Sequence, residues 1–297
     1  MTDMLKNCQL CPRACGADRT KSRGACGAGI EIEAARASLH MWEEPPISGT
    51  NGSGTVFFSH CSLGCVFCQN RKISRREAEG QNITADALAK TFLSLEKKGA
   101  HNINLVTGAH YVLQIMKRCK LPENRGFRFL LYTIPADEQV ETAQLPMVAL
   151  TSICRIPIQQ HYAGLYSHAE DYREFAVPAI DEMVRQTGAP QFDKNGLLKR
   201  GTVIRHLMLP GLAGDTAQVL RDIASRWGDS VLVSLMRQYT PFDMQDYPEL
   251  DRTITAEEYA DACTLFGELG LGGFFQQDES ISESFIPAFD GTGLEEN

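Results

Sequence analysis

Cys61, Cys65 and Cys68, spaced C-x3-C-x2-C directly after the apolar run Thr55-Val56-Phe57-Phe58-Ser59, constrain this chain more than any other feature. Four thiolates would close a tetrahedral zinc site or saturate an iron–sulfur cluster. Three leave one metal position open to a small-molecule ligand, so chemistry becomes possible as well as structure. A zinc loop that borrows His60 uses the same residues. The strand-then-loop placement favours the cluster.

The 297 residues suffice for one large domain or two ordinary ones, and 43% are apolar. No apolar run approaches the roughly 18 residues of a membrane span, so no membrane partner is expected. Met1-Thr2-Asp3-Met4-Leu5-Lys6 lacks the apolar core of a secretory signal, and a cytoplasmic product is expected. The net charge of −8 argues against nucleic acid as a partner. Seven of the ten cysteines fall within the first 68 residues in metal-ligand spacings. That pattern reads as metal binding in a reducing compartment rather than as disulfides. Cys119, Cys154 and Cys263 read as packing residues.

Residues 1–30 form a cysteine-rich metal-binding segment. Cys8, Cys11, Cys15 and Cys26 carry it, as Cys8-x2-Cys11-Pro12-Arg13-x-Cys15 and a later thiol. Four thiols in so short and so little apolar a segment need a metal to fold. Zinc and an auxiliary iron–sulfur cluster both fit, in a structural role or as an electron relay. Residues 31–54 read as a connector broken by Glu43-Glu44-Pro45-Pro46 and by close glycines. His40, Glu43 and Glu44 within it read as a solvated loop.

From residue 55 to 278 strands and helices alternate. Strands are expected at Thr55–Ser59, Asn102–Thr107, Val203–Leu209, Val231–Met236 and Gly273–Gln276. Helices are expected at Thr84 to about Lys98, from about Tyr111 to Cys119, and at His168–Gln186. Two more run over Thr216–Trp227, N-capped by Asp215, and from the Thr255–Glu258 capping box to about Leu269. The order implies βα units on a parallel sheet, an α/β fold. Residues 121–164 resist the scheme, with four prolines and two strand candidates, Arg128–Tyr132 and Met147–Ile153. The acidic tail 279–297 is expected to fray.

In a β/α barrel, chemistry collects at the carboxyl ends of the strands. That rule selects the cysteine loop, Thr107-Gly108-Ala109-His110, His206, Gln238-Tyr239 and Gln276-Gln277. For His110 and His206 the plain reading is a satisfied core histidine. Val66 and Phe67 shield the site between the cysteines. Arg71, Lys72, Arg75 and Arg76 make a basic run in an acidic protein, either a solvated face or a docking patch for an acidic electron donor.

Several stretches resemble a known superfamily. They are Cys-x2-Cys-Pro-Arg-x-Cys, Glu-Glu-Pro-Pro-Ile-Ser-Gly, Gly-Ser-Gly-Thr-Val-Phe-Phe-Ser and Cys-Ser-Leu-Gly-Cys-Val-Phe-Cys-Gln-Asn. Ile-Arg-His-Leu-Met-Leu-Pro-Gly and Ser-Leu-Met-Arg-Gln-Tyr-Thr-Pro also match. Together they resemble the radical S-adenosylmethionine superfamily, in a branch related to the pyruvate formate-lyase activating enzyme. The resemblance implies a partial (β/α)6 TIM-type barrel and a 4Fe-4S cluster on Cys61, Cys65 and Cys68. It implies S-adenosyl-L-methionine as cofactor, cleaved to methionine and a 5′-deoxyadenosyl radical that abstracts hydrogen. Cofactor contacts are implied at Phe67, Asn70, His110 and His206. Flavodoxin is the implied kind of electron donor, and a glycyl radical enzyme the implied protein substrate.

The Gly-Gly-Glu segment that holds the methionine amino group in activases is replaced here by Gly108-Ala109-His110. Two family motifs expected within 121–164 are also missing. The departure is abrupt on both sides, as a shift of reading frame or a replaced segment would leave it. The expectation is that this window is the least regular part of the barrel and that cofactor binding is weakened or lost. The alternative function is therefore a non-catalytic iron–sulfur or zinc protein that retains the barrel.

Overall fold

The computed structural model describes residues 2–118, 129–131, 150–154, 160–276 and 286–297. The chain opens with α1 (Thr2–Lys6), followed by β1 (Ile32–His40), α2 (Pro45–Ser48) and β2 (Ser53–Phe58). Next come α3 (Arg71–Ser74), β3 (Gln81–Ile83), α4 (Ala85–Lys97), β4 (Ile103–Val106), α5 (Val112–Arg118), β5 (Phe129–Leu131) and β6 (Leu150–Cys154). The second half holds α6 (Gln160–Ser167), α7 (Tyr172–Thr187), a β7–β8 hairpin (Gln191–Phe192, Leu198–Arg200) and β9 (Thr202–Leu207). It ends with α8 (Ala213–Arg226), β10 (Val231–Met236), α9 (Ala256–Glu268) and β11 (Gly273–Phe275).

Two main sheets result, ordered β3-β1-β2-β4-β5 and β11-β10-β9-β6. Strands β2, β4 and β5 pair in parallel, as do β6, β9, β10 and β11. The alternation read from the sequence is therefore present. The expected six-stranded partial barrel is not: among the described residues there are three plus four parallel strands, and the two sheets do not close on each other.

The helices seal the outer faces. Leu88, Phe92 and Leu95 of α4 recur at helical spacing, so they share one face and are buried against β1, β2 and β4. Thr84 caps α4 by accepting the Ala87 N–H, and Thr255 with Glu258 forms the expected capping box on α9. A second core packs Val219, Leu220 and Ile223 of α8 and Tyr259, Ala262 and Phe266 of α9 on β9 and β10. Cys263 lies partly buried against it, as a packing residue would.

Four expectations need correction. The connector 31–54 holds a nine-residue strand, β1, antiparallel to β2. Its alanines carry little β-propensity, so only pairing with β2 reveals it. The helix expected over His168–Gln186 is α7 and starts only at Tyr172, because His168, with a left-handed φ of 52°, separates it from the preceding α6. Leu212, not Asp215, precedes α8, and Asp215 lies in its first turn, where the helix dipole favours an acid. Residues 286–297 do not fray. The Gly291 N–H donates to the Ala35 carbonyl, the Ala37 N–H to the Thr292 carbonyl, and Arg36 pairs with Asp290. The Asn297 side chain accepts the Thr84 N–H. Both strand candidates of the 121–164 window are present, as β5 and β6, but most of that window lies outside the described residues.

Candidate functional site

A cavity of about 820 Å³ lies against the carboxyl ends of β2, β4, β9, β10 and β11. Cys61, Cys65 and Cys68 line it, with Phe67 and Asn70 from the same loop, His110 after β4, and Gln238 and Gln276 after β10 and β11. Most of the loops that the strand-end rule selects thus border one cavity. Gln277 lies outside the described residues.

The cysteine loop has little regular structure of its own and is held from outside. His60 enters it with φ at 73°, Gly64 turns it with φ at 83°, and the Val66 N–H donates to the Tyr166 carbonyl at 2.8 Å. Four successive carbonyls are taken by two guanidinium groups. Arg13 donates to Ser62 and Leu63, and Arg75 donates to Gly64 at 2.7 Å and Cys65 at 3.1 Å. Each sulfur also has a nearby donor. The Leu63 N–H faces Cys61 Sγ and the Ser74 hydroxyl faces Cys68 Sγ, both at 3.4 Å. The Ser167 hydroxyl is fully buried, makes no hydrogen bond, and by its nearness favours ionisation of Cys65.

The cavity reaches the thiols of Cys61 and Cys65, but the protein packed around them dominates their chemistry. Burial pushes Cys61 up to about 11 and Cys65 to about 12, and neighbouring thiols add to it. Three crowded thiols, of which Cys61 and Cys65 resist ionisation, suit a cationic metal centre that would take them as thiolates. Among the described residues no three His, Cys, Asp or Glu side chains form a ready-made site for a single ion. Thiolates of a cluster ligate separate irons and need not converge on one point. The donor set therefore fits the 4Fe-4S cluster.

His60 does not turn toward the thiols. Its Nε2 lies 3.0 Å from Glu33 and 2.9 Å from Arg23, and its Nδ1 faces the Arg75 carbonyl at 3.3 Å. It braces the base of the loop, so the zinc site that borrows it does not form. Val66 packs into the core rather than the cavity. The basic run is also divided. Arg75 serves the loop and Arg71 donates to the Phe242 carbonyl, while Lys72 and Arg76 are exposed.

The two histidines part company. His110 reaches the cavity wall, and its Nε2 donates to the Ser59 carbonyl at 3.0 Å. Burial, then the Arg19 charge, hold its pKa near 3, so it is neutral at pH 7. His206 does not reach the cavity. Alternation on β9 sends Arg205 and Leu207 inward and His206 outward, where Nε2 meets the Thr216 hydroxyl at 3.0 Å. It is a buried core histidine bonded through Nε2, and the expected cofactor contact there is withdrawn.

Sequence reasoning missed Arg205. Its guanidinium is buried in the cavity wall against the carboxylates of Glu43 and Glu44, and Glu43 also accepts Asn104 Nδ2 at 2.7 Å. The two acids are 9% and 8% exposed, so the lead-in is not the solvated loop expected. A buried acid needs a buried cation. An arginine inside a β-strand was the available signal. Thr107, at φ 61° after β4, also lines the cavity. A β-branched residue held left-handed is strain of the kind found at functional sites.

Of the N-terminal thiols, Cys11 lines the cavity, Cys8 and Cys26 are buried and Cys15 is exposed. They lie close enough to interact: burial, then the charges of Cys26, Cys8 and Cys15, push Cys11 up. At Cys15 burial opposes ionisation, but the backbone N–H groups of Ala25 and Ala17 outweigh it and lower the pKa.

No protein-family model matches this chain. The uncharacterized protein MJ0674 of Methanocaldococcus jannaschii is 25% identical over 281 residues, which span 91% of this chain and 77% of that protein. A radical SAM methyltransferase from Sphaerobacter thermophilus superposes with a TM-score of 0.51 at 15% identity, over 80% of this chain and 70% of that one. Streptococcus suis SuiB bound to S-adenosylmethionine gives 0.45 at 11% identity, over 78% and 51%. The mixed α/β fold is similar to that of the Sphaerobacter radical SAM methyltransferase. No helix among the described residues is long and apolar enough to cross a membrane.

Proposed function

We propose that the chain is a radical S-adenosylmethionine enzyme, with Cys61, Cys65 and Cys68 as ligands of a 4Fe-4S cluster. The observation that carries this is the loop itself. Three thiols face one cavity, each beside a hydrogen-bond donor, with four loop carbonyls held by Arg13 and Arg75. When loaded, the cluster would supply one electron to S-adenosylmethionine, yielding methionine and a 5′-deoxyadenosyl radical for hydrogen abstraction. The chain's own part is to hold the thiolates, shape the cavity and limit water. Phe67 and Asn70 line the cofactor side, and His110 adds a neutral imidazole to the wall.

A cavity of about 820 Å³ lies within the range of about 300–1,000 Å³ usual for a site that holds one small molecule, so it has room for a cofactor. Trp42, Met41 and Phe275 border it and are exposed, Trp42 by 63%. Apolar side chains gathered at a cavity border suit a macromolecular target, such as a protein glycine. Lys72 and Arg76 suit an acidic donor such as flavodoxin. A second metal, zinc or an iron–sulfur cluster, belongs to Cys8, Cys11, Cys15 and Cys26.

The test is anaerobic. Reconstituted and reduced protein is given S-adenosylmethionine, and 5′-deoxyadenosine is measured. Release that vanishes when Cys61, Cys65 and Cys68 are changed together to Ala supports the proposal. An intact cluster that binds the cofactor without cleaving it would reduce the protein to a non-catalytic iron–sulfur protein.

A further inference from the structure

Residues 286–297 lead from the cavity onto β1. Ile286 and Pro287 line the cavity, and the Phe289 ring meets that of Phe57, another lining residue, edge-on at 5.4 Å between centroids. The residues that follow take backbone groups that the sheet leaves open. β3 pairs with β1 only over Ile32–Ala34, and a bulge between Ala34 and Arg36 interrupts the pairing with β2. Just past that point the Gly291 N–H donates to the Ala35 carbonyl at 2.8 Å, and the Ala37 N–H donates to the Thr292 carbonyl at 2.9 Å. An open strand edge is thus covered by a segment of the same chain.

The far end is tied to α4 and β3. The Glu295 N–H donates to Thr91 Oγ1 at 3.1 Å. The Asn297 side chain accepts the N–H of Thr84, the cap of α4, and donates to the Asn82 carbonyl at 3.0 Å. Gly293 shows how close the seat is: its φ is 79°, and a Cβ there would lie 2.0 Å from the Ala37 carbonyl oxygen. Yet the holds are light. Beyond Phe289 and the partly buried Leu294 they are single hydrogen bonds and one ion pair, Arg36 with Asp290, whose acid is 54% exposed. A segment held in this way opens locally, at less cost than the strands it rests on. The cavity walls made by strand ends move only with the core, whereas this wall is detachable.

We propose that residues 286–297 are a strap that sets the size of reactant the cavity admits. Docked, Ile286 and Pro287 close the wall beside Phe57, and the cavity takes a small molecule. Released from β1, the strap carries those two residues away and opens the cavity to a bulky chain such as a polypeptide. As a rule for the substrate this rests on the radical-enzyme reading, because only then does chemistry start at the thiols. As a rule for access to Cys61, Cys65 and Cys68 it stands on the packing alone.

The test labels the thiols of the full chain, reduced and free of metal. N-ethylmaleimide is compared with a maleimide that carries a long polyethylene glycol chain, and the loss of each unmodified cysteine is followed by peptide mass spectrometry. Both reagents share one reactive group, so the ratio of their rates cancels the reluctance of Cys61 and Cys65 to ionise. Exposed Cys15 is the internal reference. Gly293→Val places a side chain where the Ala37 carbonyl already lies, and removal of residues 288–297 deletes the holds outright. Each change should raise the bulky-to-small ratio at the three cavity thiols by about tenfold or more, the effect of losing one or two ordinary hydrogen bonds, and leave it unchanged at Cys15. Hydrogen exchange checks the release: the amides of Ala37 and Thr84, whose acceptors lie on the strap, should exchange faster in Gly293→Val. Released amides with an unchanged ratio overturn the proposal, as do amides that stay protected in Gly293→Val, or a ratio that rises equally at Cys15. Loss of the far-UV circular dichroism in both variants overturns it too, since the strap would then belong to the core. Neither iron nor S-adenosylmethionine enters the experiment, so this failure and a failed cleavage assay are separate results.

Discussion

The cavity is bordered by two irregular stretches that are held in opposite ways. The cysteine loop offers its backbone carbonyls, and arginines from two other parts of the chain take them. The lead-in, Glu43-Glu44-Pro45-Pro46, offers charged side chains and buries them on one arginine of a strand. The loop's hold lies near its surface and can be released locally. The lead-in's hold is buried, and its failure leaves carboxylates without a counter-ion. The cavity thus has a releasable wall beside a locked one.

The largest effect should come from the locked side. Arg205→Met leaves Glu43 and Glu44 buried without their cation, which destabilises by about 3–5 kcal/mol in comparable cases. Urea unfolding measures it. Adding Glu43→Gln and Glu44→Gln to that variant should return most of the loss, because apolar or neutral replacement of a whole buried ion set is often nearly neutral. A loss below about 1 kcal/mol for Arg205→Met alone would break the contrast between the two walls.

On the releasable side, Arg75→Ala removes bonds to Gly64 and Cys65 together. The local opening of residues 61–68 should become easier by about 1.5–3 kcal/mol, the range for hydrogen bonds to charged groups. Hydrogen exchange should show it there, with global stability changing less. Uniform loss of protection across both sheets would mean that the loop is as locked as the lead-in.

What the sequence disclosed divides along the same line. The thiols were legible because their chemistry is local to C-x3-C-x2-C. The strand ends were legible because βα alternation is periodic. The supports were not. Arg13 and Arg75 meet the loop across 49 and 11 positions of sequence separation, and no periodicity links them. Glu43 and Glu44 were misread as solvated because their partner, Arg205, lies about 160 residues on. His206 was misplaced because the one-residue phase of β9 decides which side chain faces the cavity. The tail looked disordered by composition, and its docking rests on backbone pairing with β1.

A smaller effect should appear in the pH dependence of folding. His110 has its folded pKa near 3, well below the ordinary 6.5, first because of burial and then because of Arg19. Between those values the unfolded chain binds a proton that the folded chain refuses. Its contribution to stability is therefore intact above pH 6.5 and falls on acidification by about 1.4 kcal/mol per unit. His110→Gln keeps a donor for the Ser59 carbonyl and removes the titration. The variant should lose stability less steeply than the parent between pH 6.5 and 5, as urea midpoints would record. Parallel slopes would show that the imidazole is reached by solvent and belongs to the releasable side.

The smallest change in folding should come with a clear change in the metal. The Ser74 hydroxyl faces Cys68 Sγ, and the Ser167 hydroxyl, buried near Cys65, makes no hydrogen bond. Without metal, Ser167→Ala removes a polar group that is buried and poorly satisfied, so stability should hold or rise slightly. Ser74→Ala should cost about 0.5–1.5 kcal/mol at most. With the cluster reconstituted, both hydroxyls become donors to thiolate sulfur and stabilise the more negative, reduced state. Each substitution should then lower the midpoint potential, and the two together should lower it further. Redox titration followed by electron paramagnetic resonance measures this. Potentials unchanged in both variants would mean that the hydroxyls are packing groups, and that the loop's chemistry is set by its backbone and its two arginines alone.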